Sequence, residues 1–164
     1  MSNWFEDLQV GHTMELGNHT FTAEAIKAFA ARYDPQPFHI DEVAAENSLF
    51  GRLCASGWQT VATYMKLSVR ARQAREAEAR ARGEDIAQWG PSPGFRNLKW
   101  PRPVFVGDTI NYRQGIVDLT SFGKRTDRGV MITRGEGFNQ NGELVFEITG
   151  QILVPRRHPL PATP

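Results

Sequence analysis

Asp34 and His39 stand five positions apart in the run Asp34-Pro35-Gln36-Pro37-Phe38-His39, with two prolines between them. A carboxylate and an imidazole suit proton transfer near neutral pH. An ordinary aspartate, with a pKa of about 3.9, is ionised there, and a histidine at about 6.5 can donate or accept. Each proline fixes its own φ, so the segment is stiff, and a five-residue offset over such a turn can aim both side chains at one water molecule. Such a pair contributes about 10²- to 10⁴-fold to a reaction that needs a base for water and an acid for carbon. Taken singly, Asp34 before proline is a turn residue, and His39 between Phe38 and Ile40 is a half-buried histidine. On these residues alone, the structural and the chemical readings both stay open.

A developing oxyanion would need a donor, and Gly57 is the candidate. It opens the longest helical pattern in the chain, with Ser56 as its cap. Helix N-termini present unpaired N–H groups at the positive end of the dipole, and glycine lets a substrate approach the backbone closely. Gly57 is equally the residue that would let a helix pack tightly on a strand. Ser56 and Thr60, with Gln59 and Thr63 nearby, offer polar contacts to a substrate. Asp41 suits the cap of a short helix. Cys54, the only cysteine, reads as a small buried hydrophobe; it excludes an internal disulfide and a thiolate zinc cage. His12, His19 and His158 are scattered without metal-ligand spacing, so no metal site is expected.

The elements that position these groups follow from periodicity. Residues 22–33 read as a helix capped by Thr22, with Ile26, Phe29, Ala30 and Tyr33 on one stripe, stopped before Pro35. A short helix restarts near Asp41 and fades around Ser48. The long helix begins at Gly57 and ends at Gly83; its spacing predicts a buried face of Trp58, Val61, Ala62 and Met65. From Arg70 to Arg82, arginine and glutamate alternate with alanine. That stretch is expected outside the core, as a solvated extension or an arm against a partner. Residues 84–94, rich in proline and glycine, form a loop. The period then changes to two. Ile110, Tyr112 and Ile116 mark one strand, Val130 and Ile132 a second, and Leu144, Phe146, Ile148, Ile152 and Val154 share one face of a third. Asn141-Gly142 is expected to join the last two, since both residues tolerate positive φ. Helices first and antiparallel strands after argue an α+β domain, with a sheet packing one face on a helix.

The 164 residues suit one domain, here 1–156, with 157–164 as a proline-rich tail. A formal net charge of +1 speaks against a nucleic-acid surface or attraction to anionic membranes. Residues 1–10 carry no signal-peptide pattern, and no apolar run reaches the roughly 18 residues of a spanning helix, so a cytoplasmic protein is expected.

Tyr33-Asp34-Pro35-Gln36-Pro37-Phe38-His39-Ile40-Asp41 resembles the hydratase motif of the MaoC-like dehydratases, the family that includes the (R)-specific enoyl-CoA hydratases. In that motif an aspartate stands five residues before a histidine, with a proline between and an aspartate two residues after. The likeness continues in Leu49-Phe50-Gly51, Ala55-Ser56-Gly57-Trp58, Arg102-Pro103-Val104, Gly107-Asp108-Thr109, Asp127-Arg128-Gly129-Val130 and Asn139-Gln140-Asn141-Gly142-Glu143, in order along roughly residues 5–156. Gln36 departs from it, standing where the family commonly has asparagine. The resemblance implies a hotdog fold, in which a curved antiparallel sheet wraps a long central helix, and assembly as a homodimer or a dimer-based oligomer. It also implies a CoA thioester as substrate, Asp34 and His39 acting together on water, and the Gly57 N–H as oxyanion donor. No metal or organic cofactor is implied. Two other functions remain open: a hotdog thioesterase, disfavoured because Gly57–Leu67 carries no Asp or Glu, and a non-catalytic acyl-CoA-binding protein. Arg96, Lys99, Arg102 and Lys124 are generic bases, any of which can meet a CoA phosphate.

Overall fold

The structure, a computed structural model, describes residues 3–161. Residues 1–2 of the N-terminal stretch and 162–164 of the proline-rich tail lie outside the described residues. A 3₁₀ turn at Phe5–Asp7 leads to strand β1 (Thr13–Thr20). Four helices follow: α1 (Ala23–Tyr33), α2 (Pro37–Ile40), α3 (Glu42–Glu46) and α4 (Gly57–Ala81). The chain ends in β2 (Phe95–Lys99), β3 (Thr109–Phe122), β4 (Arg125–Phe138) and β5 (Leu144–Pro155). The strands form one antiparallel sheet in the order β1-β3-β4-β5-β2. With α4 packed on it, this is the α+β hotdog arrangement. Among the described residues no helix is long and apolar enough to cross a membrane.

A strand thus precedes the helices, against the expected order. β1 and β2 are the sheet edges, and both escape periodicity for the same reason. β1 shifts register between Glu15 and Gly17, where Gly17 takes a φ of 100°, and it buries only Leu16. β2 shifts between Arg96 and Lys99 around Asn97, which has a φ of 54°. A bulge resets the period-two alternation, and an edge strand has a neighbour on one side only.

The central strands behave as their alternation predicts, with additions. Ile110, Tyr112 and Ile116 are buried on β3, and Gln114 is buried among them. On β5, Val145 and Leu153 are buried as well as Phe146, Ile148 and Val154. Leu153 packs with Val130 and Ile132 in a separate small cluster. Between β4 and β5, only Gly142 takes a positive φ, 77°. Its N–H donates to the Asn139 carbonyl, and Asn139 N–H donates to that of Glu143, so the connection is a longer loop than a two-residue Asn-Gly turn.

The long helix starts and stops as expected, with Ser56 as N-cap and Gly83, at a φ of 73°, just beyond its end. Its buried face differs. Trp58 and Met65 are about half exposed, at 51% and 52%, and Ala62 is exposed; Gln59, Thr60, Tyr64 and Ala79 are buried. Val61 alone of the expected set packs against the main core. The cause lies on the sheet: a Cβ at Gly135 would overlap the Tyr64 ring, so this glycine opens the space that draws Tyr64 inward. Tyr64 then packs against Phe146 with ring centroids 5.3 Å apart and the planes tilted by 49°. Gln59 is admitted because its amide donates to the Ala25 carbonyl.

The arginine-rich half of α4 is only partly solvated. Ala79 is 3% exposed, Ala71 packs against the main core, and Arg75 reaches Met14. Residues 84–94 form the expected loop, pinned to the N-terminus where Asn3 bonds the Ala87 backbone in both directions and Trp89 donates to the Asn3 carbonyl. From Arg156 to Pro161 the chain lacks regular structure, yet Arg156 N–H donates to the Asp127 carbonyl and Leu160 N–H to that of Thr126.

Candidate active site

The turn between α1 and α3 sets the geometry of Asp34 and His39. Asp34 closes α1, its N–H donating to the Ala30 carbonyl, and Pro35 prevents continuation. Pro37 then opens the one-turn helix α2, a position that needs no N–H donor. That single turn brings His39 back beside Asp34. Asp41 ends α2 and caps α3, accepting from Ala44 N–H at 2.7 Å, as its expected cap role requires.

His39 is 5% exposed. Its Nδ1 lies 2.8 Å from the Cys54 carbonyl, which can only accept, so Nδ1 carries the hydrogen. In the neutral ring Nε2 is then a bare acceptor, and it faces Asp34 Oδ2 at 3.5 Å. Asp34 is held from both sides: Ser56 Oγ donates to Oδ2 at 2.6 Å, and Gln36 Nε2 donates to Oδ1 at 2.9 Å. Burial pushes the Asp34 carboxyl up, but the bonds from Ser56 and Gln36 and the charge of His39 outweigh it. The carboxyl therefore titrates below its ordinary value. Cys54 is buried 3.7 Å from His39 Nδ1, and burial pushes its thiol up to about 11, which keeps it protonated.

Asp34, His39, Gly57 and Thr60 line a cavity of about 400 Å³. The N–H groups of Trp58, Gln59 and Thr60 all turn to Ser56, while that of Gly57 meets no acceptor among the described residues. The Ser56 hydroxyl hydrogen goes to Asp34, so in the structure this residue aims the carboxylate. Thr60 donates to the Gly57 carbonyl at 2.6 Å and receives the Trp100 indole N–H at 3.2 Å.

Trp100 was not singled out from the sequence. Its indole also donates to the Gly57 carbonyl, and it lies so close that a Cβ on Gly57 would stand 2.5 Å from the ring. It lies just beyond β2, whose irregular backbone hid which residues it carries to the site. Arg102, one of four bases treated as equivalent in the sequence, lines the cavity and pairs with Glu143 at 3.4 Å. Lys99 is paired with Glu147 instead. Among the described residues no group of three or more His, Cys, Asp or Glu side chains is placed to hold a metal ion.

The sequence profile of the MaoC like domain matches residues 7–134. The chain belongs to this family. The match spans the Asp34–His39 turn, α4 and Arg102, so the MaoC-like resemblance read from the motifs is one of membership. Among solved structures, the MaoC-like dehydratase from Rhodospirillum rubrum is 35% identical, covering 96% of this chain and 99% of that one, with a TM-score of 0.78. The uncharacterized protein YdeM of Bacillus subtilis (strain 168) is 25% identical over 151 residues, 92% of this chain and 98% of its own. The (R)-hydratase from A. caviae involved in PHA biosynthesis is 20% identical, covering 92% of this chain and 99% of that one. Its TM-score of 0.63 is a likeness of fold.

Proposed function

We propose that this MaoC-like protein is a hydratase/dehydratase that adds water to, or removes it from, an α,β-unsaturated or 3-hydroxyacyl thioester of coenzyme A. The observation that carries the reading is the pair of acceptors, Asp34 Oδ2 and His39 Nε2, facing each other across 3.5 Å beside the cavity. Neither can donate to the other while His39 is neutral and Asp34 ionised, so a water that donates one hydrogen to each satisfies both. In hydration the water oxygen bonds to Cβ and one of its protons passes to His39 Nε2, where the Asp34 carboxylate stabilises the imidazolium. The electron pair of the double bond moves toward the thioester oxygen. Collapse of that enolate takes a proton at Cα from the pair, so that H and OH are added and the site returns to its starting state. Dehydration is the reverse. The pair supplies both proton transfers, so the reading calls for no metal or organic cofactor.

The Gly57 N–H, unpaired at the start of the 25-residue α4, is the donor for the enolate oxygen in this reading. Ser56 positions Asp34, and Thr60 with Trp100 forms the wall beside it. The working unit is a homodimer or a dimer-based oligomer, a reading supported by Trp58 and Met65 lying exposed on the helix that carries the site. Sedimentation that finds only monomer removes this part of the proposal.

The test of the reaction is a panel of enoyl-CoA thioesters of graded length and branching, followed by ultraviolet absorbance and by a thiol reagent. Loss of the conjugated double bond without thiol release is expected. Thiol release instead identifies a thioesterase, and tight binding with neither change identifies a non-catalytic acyl-CoA-binding protein.

A further inference from the structure

A second cavity, of about 430 Å³, lies between α4 and the sheet. Tyr64, four residues beyond Thr60 of the first cavity, lines it. That offset is about 6 Å along the helix. Its sheet wall is largely hydrocarbon, from Ile116, Met131, Ile148 and Ile152. Into that wall β3 sets Gln114, 7% exposed, at a position where the alternation of Ile110, Tyr112 and Ile116 calls for another apolar residue.

The Gln114 amide is oriented by two hydroxyls. Tyr64 donates to its Oε1 at 2.9 Å, and Ser68 donates to the same oxygen at 3.0 Å. Burial pushes the Tyr64 phenol up, against the opposing effect of a hydrogen bond with Thr133, so it remains a donor. With both donors on the oxygen, the amide nitrogen has no partner among the described residues, and Gln114 lines the cavity. The amide nitrogen is not sealed in the packing: it keeps an opening to the cavity and offers a donor there, where a residue that only filled the space would be leucine or methionine.

We infer that Gln114 determines specificity: the second cavity takes the acyl part of the thioester, and acyl groups that bring a hydroxyl or keto oxygen to Gln114 Nε2 are selected over plain hydrocarbon ones. The inference rests on the thioester reading of the first cavity, yet it is tested by binding and not by turnover. A site built to bond a substrate oxygen discriminates strongly against the analogue that lacks it, because its own polar group is then left unpaired.

The experiment titrates the protein with decanoyl-CoA and with hydroxydecanoyl-CoA thioesters that differ in hydroxyl position, by calorimetry. At least one hydroxylated member is expected to bind about tenfold or more tightly than decanoyl-CoA. Gln114→Met keeps the decanoyl-CoA affinity and loses the preference. Ser68→Ala retains the amide but removes one of the two hydroxyls that orient it, and lowers the preference by a smaller factor. Equal binding across the panel, or a preference that survives in Gln114→Met, overturns the assignment. Should Gln114→Met not fold, an undiminished preference in Ser68→Ala overturns it. Absence of binding by any thioester sinks the thioester reading and this inference together. A preference found without turnover leaves the inference standing and removes only the hydratase reading.

Discussion

Beside the first turn of α4, the carboxylate and the imidazole are aimed by named partners: Ser56 and Gln36 hold Asp34, and the Cys54 carbonyl holds His39. One turn further on, beneath Tyr64, the sheet wall of the second cavity is largely hydrocarbon, and the Gln114 amide nitrogen faces it without a partner among the described residues. The first region is organised by hydrogen bonds that span 2 to 22 positions, the second by packing and a hydrogen bond between residues 50 or more positions apart. The first kind of order orients polar atoms around the buried His39 and Ser56. The second sets the shape of what can enter, and it depends on where a glycine leaves room.

Breaking the first region is expected to have the largest effect. Asp34→Asn removes the charge that stabilises the His39 imidazolium and one of the two acceptors of the water while leaving the chain folded, and turnover falls by about 10²-fold or more. Steady-state rates on a responsive enoyl-CoA check this, and a variant as fast as the wild type removes Asp34 from the mechanism. Gly135→Ala breaks the second region. Its Cβ meets the Tyr64 ring, so a loss of about 1–3 kcal/mol is expected in urea unfolding, with acyl-CoA affinity disturbed more than the pH profile. A neutral result would mean that Tyr64 yields easily and that packing there is loose.

Ser56→Ala sharpens the comparison, because it removes one bond to Asp34 and the N-cap of α4 together. A loss of about 1 kcal/mol in stability is expected. The Asp34 carboxyl also moves up, since a bond that favoured its charged form is gone. A group with a lowered folded pKa contributes stability that is present above its unfolded value and lost as pH falls through the folded one. The variant therefore loses that contribution at higher pH than the wild type, and the acid limb of its rate profile shifts the same way. An unmoved limb would show that Ser56 only caps the helix. The smallest effect is expected at Met65→Ala, on the exposed side of α4, within about 0.5 kcal/mol for the single chain. A larger loss that grows with protein concentration would show that a second copy covers that face.

The turn from Asp34 to Asp41 was legible because local chemistry determines it. Proline ends α1 and Asp41 caps α3, whatever packs around them, although the single helical turn α2 that Pro37 opens was read only as a stiff segment. The ends of α4 were legible for the same reason, in Ser56 and Gly83. The two edge strands were not, since bulges at Gly17 and Asn97 erased the alternation that marks a strand. Trp100 was missed with β2, for it reaches Gly57 only through the pairing of that strand with β5.

By itself the chain's sequence determined the family, the proline-braced spacing of carboxylate and imidazole, and the limits of the long helix. All three depend on neighbours a few residues apart or on motifs in fixed order. Tertiary structure decided which face of α4 is buried, the partners that hold Asp34 and His39, and the polar end left open in the second cavity. Hydrophobic periodicity records which residues favour burial. Whether Tyr64 or Met65 goes inside depends on the space at Gly135, on a strand some seventy residues away.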